Sequence, residues 1–364
     1  MFYNRRQFLI VTGGLVGVTL ATVSHQFFVK SQPNNSQNIE PVNTKASPIK
    51  QAIAVAPDGL FAPIKGDVRI VVISDLNSQY GSTKYEAEVD QAVSLIPEWE
   101  PNLVLCGGDM IAGQKRSLTQ QQIEAMWSAF DVHIASPLRQ GKIPFGFTIG
   151  NHDGSGSISR GKFTFEQERN LASDYWNNPN HNPGLNFIDK ANFPFYYTFK
   201  QQDIFYLVWD ASTHIMDQNQ LTWVENSFKS LEAKQAKLRL VIGHLPLYPV
   251  AVGRDSGGNF MAEGERLQSL LEKYDVHTYI SGHHHAYYPG KKGQLELLHT
   301  GALGGGPRKL LNSNLPPQKT LTVVDISLSS EETTYTSYDM KSLKVIDIQT
   351  LPKSIGNILR KDLS

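Results

Sequence analysis

The chain has 364 residues, 40% hydrophobic and 19% charged, which is enough apolar material for one large domain with appendages or for two domains. Its 34 basic and 34 acidic residues cancel, so bulk charge gives no reason to expect a nucleic-acid partner. The single cysteine, Cys106, excludes an intrachain disulfide. It lies in the apolar run Leu103-Val104-Leu105-Cys106 and is expected to be a buried, inert thiol.

At the N-terminus, Asn4-Arg5-Arg6-Gln7-Phe8-Leu9 precedes a largely apolar stretch to about Val23. A basic start followed by a short apolar run is the pattern of an export signal. The paired arginines resemble a twin-arginine signal, and that route carries folded proteins. The stretch is short for a spanning helix, but no clear small-x-small cleavage pattern follows it. Residues 1–29 are therefore read as a signal or a membrane anchor. The protein is expected to be exported, periplasmic or extracellular, with this segment as a membrane tether if it is retained. Residues 30–60, rich in Asn, Gln, Ser and Pro, read as a flexible linker.

From Val68 the pattern changes. Val68-Arg69-Ile70-Val71-Val72-Ile73 predicts a buried strand. Glu86–Ile96 predicts a helix closed by Pro97 and Pro101. Asn102–Cys106 reads as a strand, Gln120–Phe130 as a helix, Pro144–Ile149 as a strand and Phe165–Asp174 as a helix. The aromatic runs Pro194–Phe199 and Ile204–Trp209 suggest a hairpin. Gln218–Lys234 predicts one amphipathic helix. Leu238–Ile242 is a strand, Gly264–Tyr274 a helix and Val276–Ile280 a strand. Later β-runs are Leu295–His299, Thr320–Ile326, Thr333–Tyr338 and Leu343–Ile348, and 351–364 reads as a C-terminal tail. Early alternation and a strand-rich end predict an α/β domain over 61–350 with mixed sheets.

Five of these strands end in polar residues of one chemical kind. They are Asp75-Leu76-Asn77, Gly107-Gly108-Asp109, Gly150-Asn151-His152-Asp153, Gly243-His244 and Gly282-His283-His284-His285. Ligands gather at the carboxyl ends of strands in open α/β sheets. In an extended segment, Asp75 with Asn77, and His283 with His285, project to one side. Each pair then offers two donors to one metal or to two adjacent metals, and Leu76 and His284 point the other way. Any one block alone reads equally well as a turn or a helix cap.

Together these blocks resemble the calcineurin-like metallophosphoesterase family, whose pattern is D-x-H, G-D, G-N-H-[DE], a separate His and G-H-x-H in that order. The resemblance runs from about Val68 to Ile348. It implies two packed mixed β-sheets flanked by helices and a metal-dependent phosphoester hydrolase, acting on monoesters or diesters, with a small phosphoester substrate. It also implies two divalent metal ions that share a hydroxide (Mn, Fe, Mg or Zn). Asp75, Asn77, Asp109 and His285 would hold the first ion; Asp109, Asn151, His244 and His283 would hold the second. His152 would be the catalytic general acid, and its neighbour Asp153 is expected to orient it. Asn77 departs from the family's histidine. An amide oxygen is a harder donor than imidazole, which favours Mn or Fe at the first site. No tyrosine occurs at Met110 or Ile111, so a ferric–tyrosinate site is not expected. A second reading makes the chain a metal-binding protein with little activity, its first site weakened by Asn77. A third makes it a hydrolase of another ester class.

Glycine-rich loops precede Arg160, follow Gly253 at Arg254 and precede Arg308. They are candidate mobile walls that bring a cation to a phosphate. Gly301-Ala302-Leu303-Gly304 does not fit a dinucleotide fingerprint, because its second glycine is misplaced.

Overall fold

The strand Val68–Ile73 is buried along its whole length, because each of its faces packs on a different core. Val68, Ile70 and Val72 face the second sheet, where they join Tyr197, Phe199 and Tyr206. Val71 and Ile73 face outward, onto Val89, Ile123 and Phe130 of the covering helices. That period-two division explains why the run is apolar without alternation. In the computed structural model, which describes residues 53–77 and 79–364, this strand sits inside a six-stranded sheet. Its order is Lys344–Val345, Thr333–Asp339, Thr320–Ile326, Val68–Ile73, Leu103–Cys106, Phe145–Phe147. The last three strands run parallel, and Thr320–Ile326 pairs antiparallel with Val68–Ile73.

The second sheet has nine strands and is also mixed. Ile204–Val208, Leu238–Ile242, Thr278–Ser281 and Leu295–His299 form its parallel centre. Antiparallel strands flank that centre on both sides. The helices Gln218–Lys229 and Gly264–Lys273 bury Leu221, Val224, Phe228, Leu267 and Leu271 in the same core. The Tyr197 hydroxyl ties the two sheets, donating to Phe147 O at 2.6 Å and accepting from Phe147 N at 3.1 Å. The architecture is the expected pair of mixed sheets with flanking helices.

Some local expectations change. The helix expected over Gln218–Lys234 breaks at Ser230, which is extended and caps a second short helix by accepting from Ala233 N. Serine competes with the backbone in this way and favours caps. The tail 351–364 is the edge of the nine-stranded sheet: Ser354–Ile355 and Ile358–Arg360 pair with each other, and Ile358–Arg360 pairs with Tyr288–Lys292. The signal or anchor over 1–29 and the linker up to residue 52 lie outside the described residues. The described end of the linker bridges Ala54 to Ile64.

Arg69 is fully buried and bonds Asp325 through Nε at 2.8 Å and Nη2 at 3.0 Å. Its other arms reach Val55 O, Trp99 O and Pro63 O. Arg69→Ala strands the Asp325 carboxylate in the interior, and removing one partner of a buried pair costs about 3–5 kcal/mol. Urea unfolding of the variant is expected to show that loss.

Candidate metal centre

The parallel strands of both sheets present their carboxyl ends at one rim, and the five polar blocks lie in the loops that follow. These loops turn sharply. Asp75, Asp109, His283 and His285 have φ of 53°, 56°, 64° and 54°. Left-handed backbone costs a non-glycine residue about 1–2 kcal/mol, and strain of this kind clusters at functional sites. The pairs Asp75/Asn77 and His283/His285 are therefore not carried on extended backbone as expected; turns, not strand pleating, aim their side chains. Two glycines permit the close approach of the loops. A Cβ on Gly150 would lie 2.1 Å from Asp109 Oδ1, and one on Gly282 would lie 2.1 Å from Ser74 Oγ.

Two groups of donors converge, and Asp109 belongs to both. One is Asp75, Asp109 and His285; the other is Asp109, His244 and His283. His285 Nε2 lies 3.1 Å from Asp75 Oδ1. His244 Nε2 is the centre of the second group: it lies 3.3 Å from Asp109 Oδ2, 3.0 Å from Asn151 Oδ1 and 3.2 Å from His283 Nδ1. All of these side chains are buried. Their outer atoms are held. His244 Nδ1 bonds Gly107 O at 2.7 Å, His285 Nδ1 bonds Gly306 O at 2.8 Å, and Ser74 Oγ donates to Asp75 Oδ2 at 2.7 Å. Ring nitrogens secured to carbonyls leave the opposite nitrogen oriented to ligate.

Burial opposes the charged form of His244, but Asp109 beside it pushes the ring up to about 9. The Asp109 carboxyl is likewise opposed by burial, yet the His244 ring holds it below the ordinary carboxylate range. Burial first, and then His244, hold His283 well below the ordinary histidine value. Two buried carboxylates and three imidazoles fit divalent cations, which need deprotonated oxygen and nitrogen donors.

The remaining predicted residues are placed as follows. Asn151 joins the second group, and its Nδ2 donates to Gln114 Oε1 at 2.6 Å. The Asn77 amide is engaged in its own loop, with Nδ2 donating to Ser82 O at 2.9 Å and Oδ1 accepting from Gln79 N at 3.3 Å. His152 stands beside the donors, its Nε2 3.9 Å from Asp109 Oδ2 and its Nδ1 3.3 Å from Gly113 O. Its backbone N donates to Asp109 Oδ1 at 2.8 Å.

Asp153 does not orient His152, contrary to expectation. Its carboxylate turns inward and accepts from the amides of Asp109, Ile111 and Gly150 at 2.9, 2.9 and 2.8 Å. It locks the second block to the third. Burial, and then Asp109, push its carboxyl up to about 7, against those amide donors. Arg254 reaches His283, whereas Arg308 meets the site through its backbone, donating to His285 O at 2.9 Å. Arg160 is exposed on the hairpin 158–163. Cys106 is buried, and burial pushes its thiol up.

Sequence reasoning missed Gln114 and Tyr80. The Tyr80 ring lies 5.1 Å from that of His152. Neither carries a motif signal. His284 faces away from the donors: its Nδ1 accepts from Val250 N at 3.2 Å and its Nε2 donates to Asn259 O at 2.9 Å.

Fold and donor set define a metallophosphoesterase. The family profile for calcineurin-like phosphoesterase matches residues 68–287, and the chain belongs to that family of phosphoester hydrolases. No curated protein matches it in sequence. Among solved structures, a purple acid phosphatase from yellow lupin seeds is similar at TM-score 0.54 and 16% identity, over 77% of this chain. The match spans about half, 52%, of the lupin chain. The Plasmodium protein GAP50, described as the anchor in the inner membrane complex, is similar at TM-score 0.52 and 15% identity, over 77% of this chain and 87% of its own. Both likenesses concern the fold alone.

Proposed function

We propose that this chain is an exported phosphoester hydrolase that works with two divalent metal ions and uses His152 as general acid. The observation that carries this reading is the sharing of Asp109 between two donor groups. Asp75, Asp109 and His285 would hold one ion, and Asp109, Asn151, His244 and His283 the other. When bound, such a pair lowers the pKa of a shared water and draws the oxygens of a phosphoryl group.

The protein's own residues supply the rest. Gly113 O fixes the Nδ1 side of His152, which leaves Nε2 to hand a proton to the departing alkoxide. Asp153 keeps the Asp109 and Gly150 loops in register. The ring of Tyr80 packs against that of His152 on one side. Export, and tethering if the segment is retained, rest on Arg5-Arg6 and the apolar stretch after them.

Metal analysis of the purified full-length protein tests the reading. About two ions per chain with turnover of p-nitrophenyl phosphate or its bis ester is the expected result. One ion and no turnover across a wide phosphoester panel would sink it. Inhibition by phosphate or vanadate separates a phosphoesterase from a hydrolase of another ester class.

One observation favours the second reading, a metal-binding protein with little activity. Both ends of the Asn77 amide are engaged within residues 77–82, so an ion at the first site would share Oδ1 with the Gln79 amide. Asn77→His is expected to tighten the first site and shift metal preference towards Zn²⁺. Unchanged affinities across a Mn²⁺, Fe²⁺, Co²⁺, Zn²⁺ series would remove Asn77 from the site.

A further inference from the structure

Apart from exposed ones such as Arg116 and Arg160, the described arginines of this fold fall into two sets. Those shielded from solvent pair with carboxylates: Arg69 with Asp325, Arg139 with Asp131, Arg169 with Asp210 and Arg360 with Asp362. Arg254 and Arg308, both partly buried, have no carboxylate partner among the described residues. In both, Nε is buried without any hydrogen-bond partner. Buried donors left unsatisfied are rare and costly, and guanidinium is built for bidentate binding of phosphate.

Arg254 borders the metal centre, and the Arg308 side chain lies beside the Arg254 loop. Arg308 Nη1 lies 3.7 Å from where a Cβ on Gly253 would sit, next to Arg254. Arg254 Nη1 bonds Asn259 Oδ1 at 2.9 Å and meets His283 Nε2 at 3.2 Å. The loop that carries Arg254 is fixed at both ends, because His284 bonds Val250 N and Asn259 O. The contact with His283 uses the ring nitrogen turned away from His244. A histidine that gives Nδ1 to an ion keeps its proton on Nε2, and guanidinium only donates. Donor then faces donor, and that arm of Arg254 is left for another acceptor.

Charge narrows the acceptor. Two divalent ions more than offset Asp75 and Asp109, so the arginine pair adds about two further positive charges that the protein does not balance. A phosphomonoester dianion matches this excess better than a diester monoanion, and it offers one more terminal oxygen.

Building on the proposed hydrolase reading, we infer that Arg254 and Arg308 form a receptor for the terminal phosphate of a monoester and select it over a diester. The full chain loaded with Mn²⁺ tests this with two substrates, p-nitrophenyl phosphate and bis(p-nitrophenyl) phosphate. Arg254→Gln, and separately Arg308→Gln, is expected to lower kcat/KM for the monoester by about 30-fold or more, and for the diester by less than about 5-fold. Calorimetry with inorganic phosphate is expected to show affinity weakened about tenfold, with metal content and thermal midpoint kept at wild-type values. Equal losses on both esters, or unchanged phosphate affinity in both variants, would overturn the receptor. If wild-type protein turns over neither ester, the hydrolase reading fails, and phosphate calorimetry of wild type against the variants still decides the receptor. Should one variant fail to fold, the other carries the same comparison.

Discussion

Asp109→Asn is expected to cost both ions and, with them, at least on the order of 10³-fold in turnover. Asp109 is the one residue common to the two donor groups. Its Oδ2 lies 3.3 Å from His244 Nε2, and its backbone is clamped by Asp153. The amide has the same shape, so the fold keeps its packing, but the negative charge shared by the two ions is gone. Elemental analysis after dialysis is the direct measurement: about two ions per wild-type chain, and fewer than one in the variant. A variant that keeps both ions and its activity would show that Asp109 is not the bridge. The Asp75→Asn control separates the two sites, because Asp75 belongs only to the group with His285; one ion is expected to remain.

His152→Ala is expected to do the opposite: keep both ions and lose about 10²–10⁴-fold in turnover, the usual contribution of a general acid. The His152 ring belongs to neither donor group. Its nearest approach is Nε2 at 3.9 Å from Asp109 Oδ2. The backbone N–H that bonds Asp109 Oδ1 survives the substitution, so the bridging carboxylate keeps that partner. A general acid matters most when the leaving group is basic. The loss is therefore expected to be larger on an alkyl phosphate than on p-nitrophenyl phosphate, whose phenolate leaves without help. Loss of metal in the variant would make His152 a ligand; equal losses across leaving groups would remove its proton-donating role.

The strands and most helices were legible because their signals are local. Val68–Ile73, Gln120–Phe130 and Leu238–Ile242 are long apolar or periodic runs, and the structure places them there. The short strand Phe187–Asn192 and the edge strands Ser354–Ile355 and Ile358–Arg360 were not anticipated, since they form only where a neighbouring strand supplies the hydrogen bonds. Of the polar blocks, the ligand types were readable. Two roles were not. Asp153 follows His152 in the chain, yet its carboxylate serves the amides of Asp109 and Ile111 on another loop and of Gly150 in its own block. The Asn77 amide also closes a local turn, which its place in the first block does not announce.

By itself, the sequence determined the class of this protein. Five donor-bearing blocks in one order, each behind an apolar strand, specify the elements and the donor chemistry, because strand burial and ligand type are properties of single residues and short runs. The tertiary structure decided which donors meet. It brought residues 75, 109 and 285 together, and 109, 244 and 283 together, by packing two sheets so that their carboxyl ends share a rim. It also placed Arg254 against His283. Such distances depend on loop conformations with left-handed backbone at Asp75, Asp109, His283 and His285, conformations that Asp and His tolerate better than most residues but that the contacts of the finished fold must sustain.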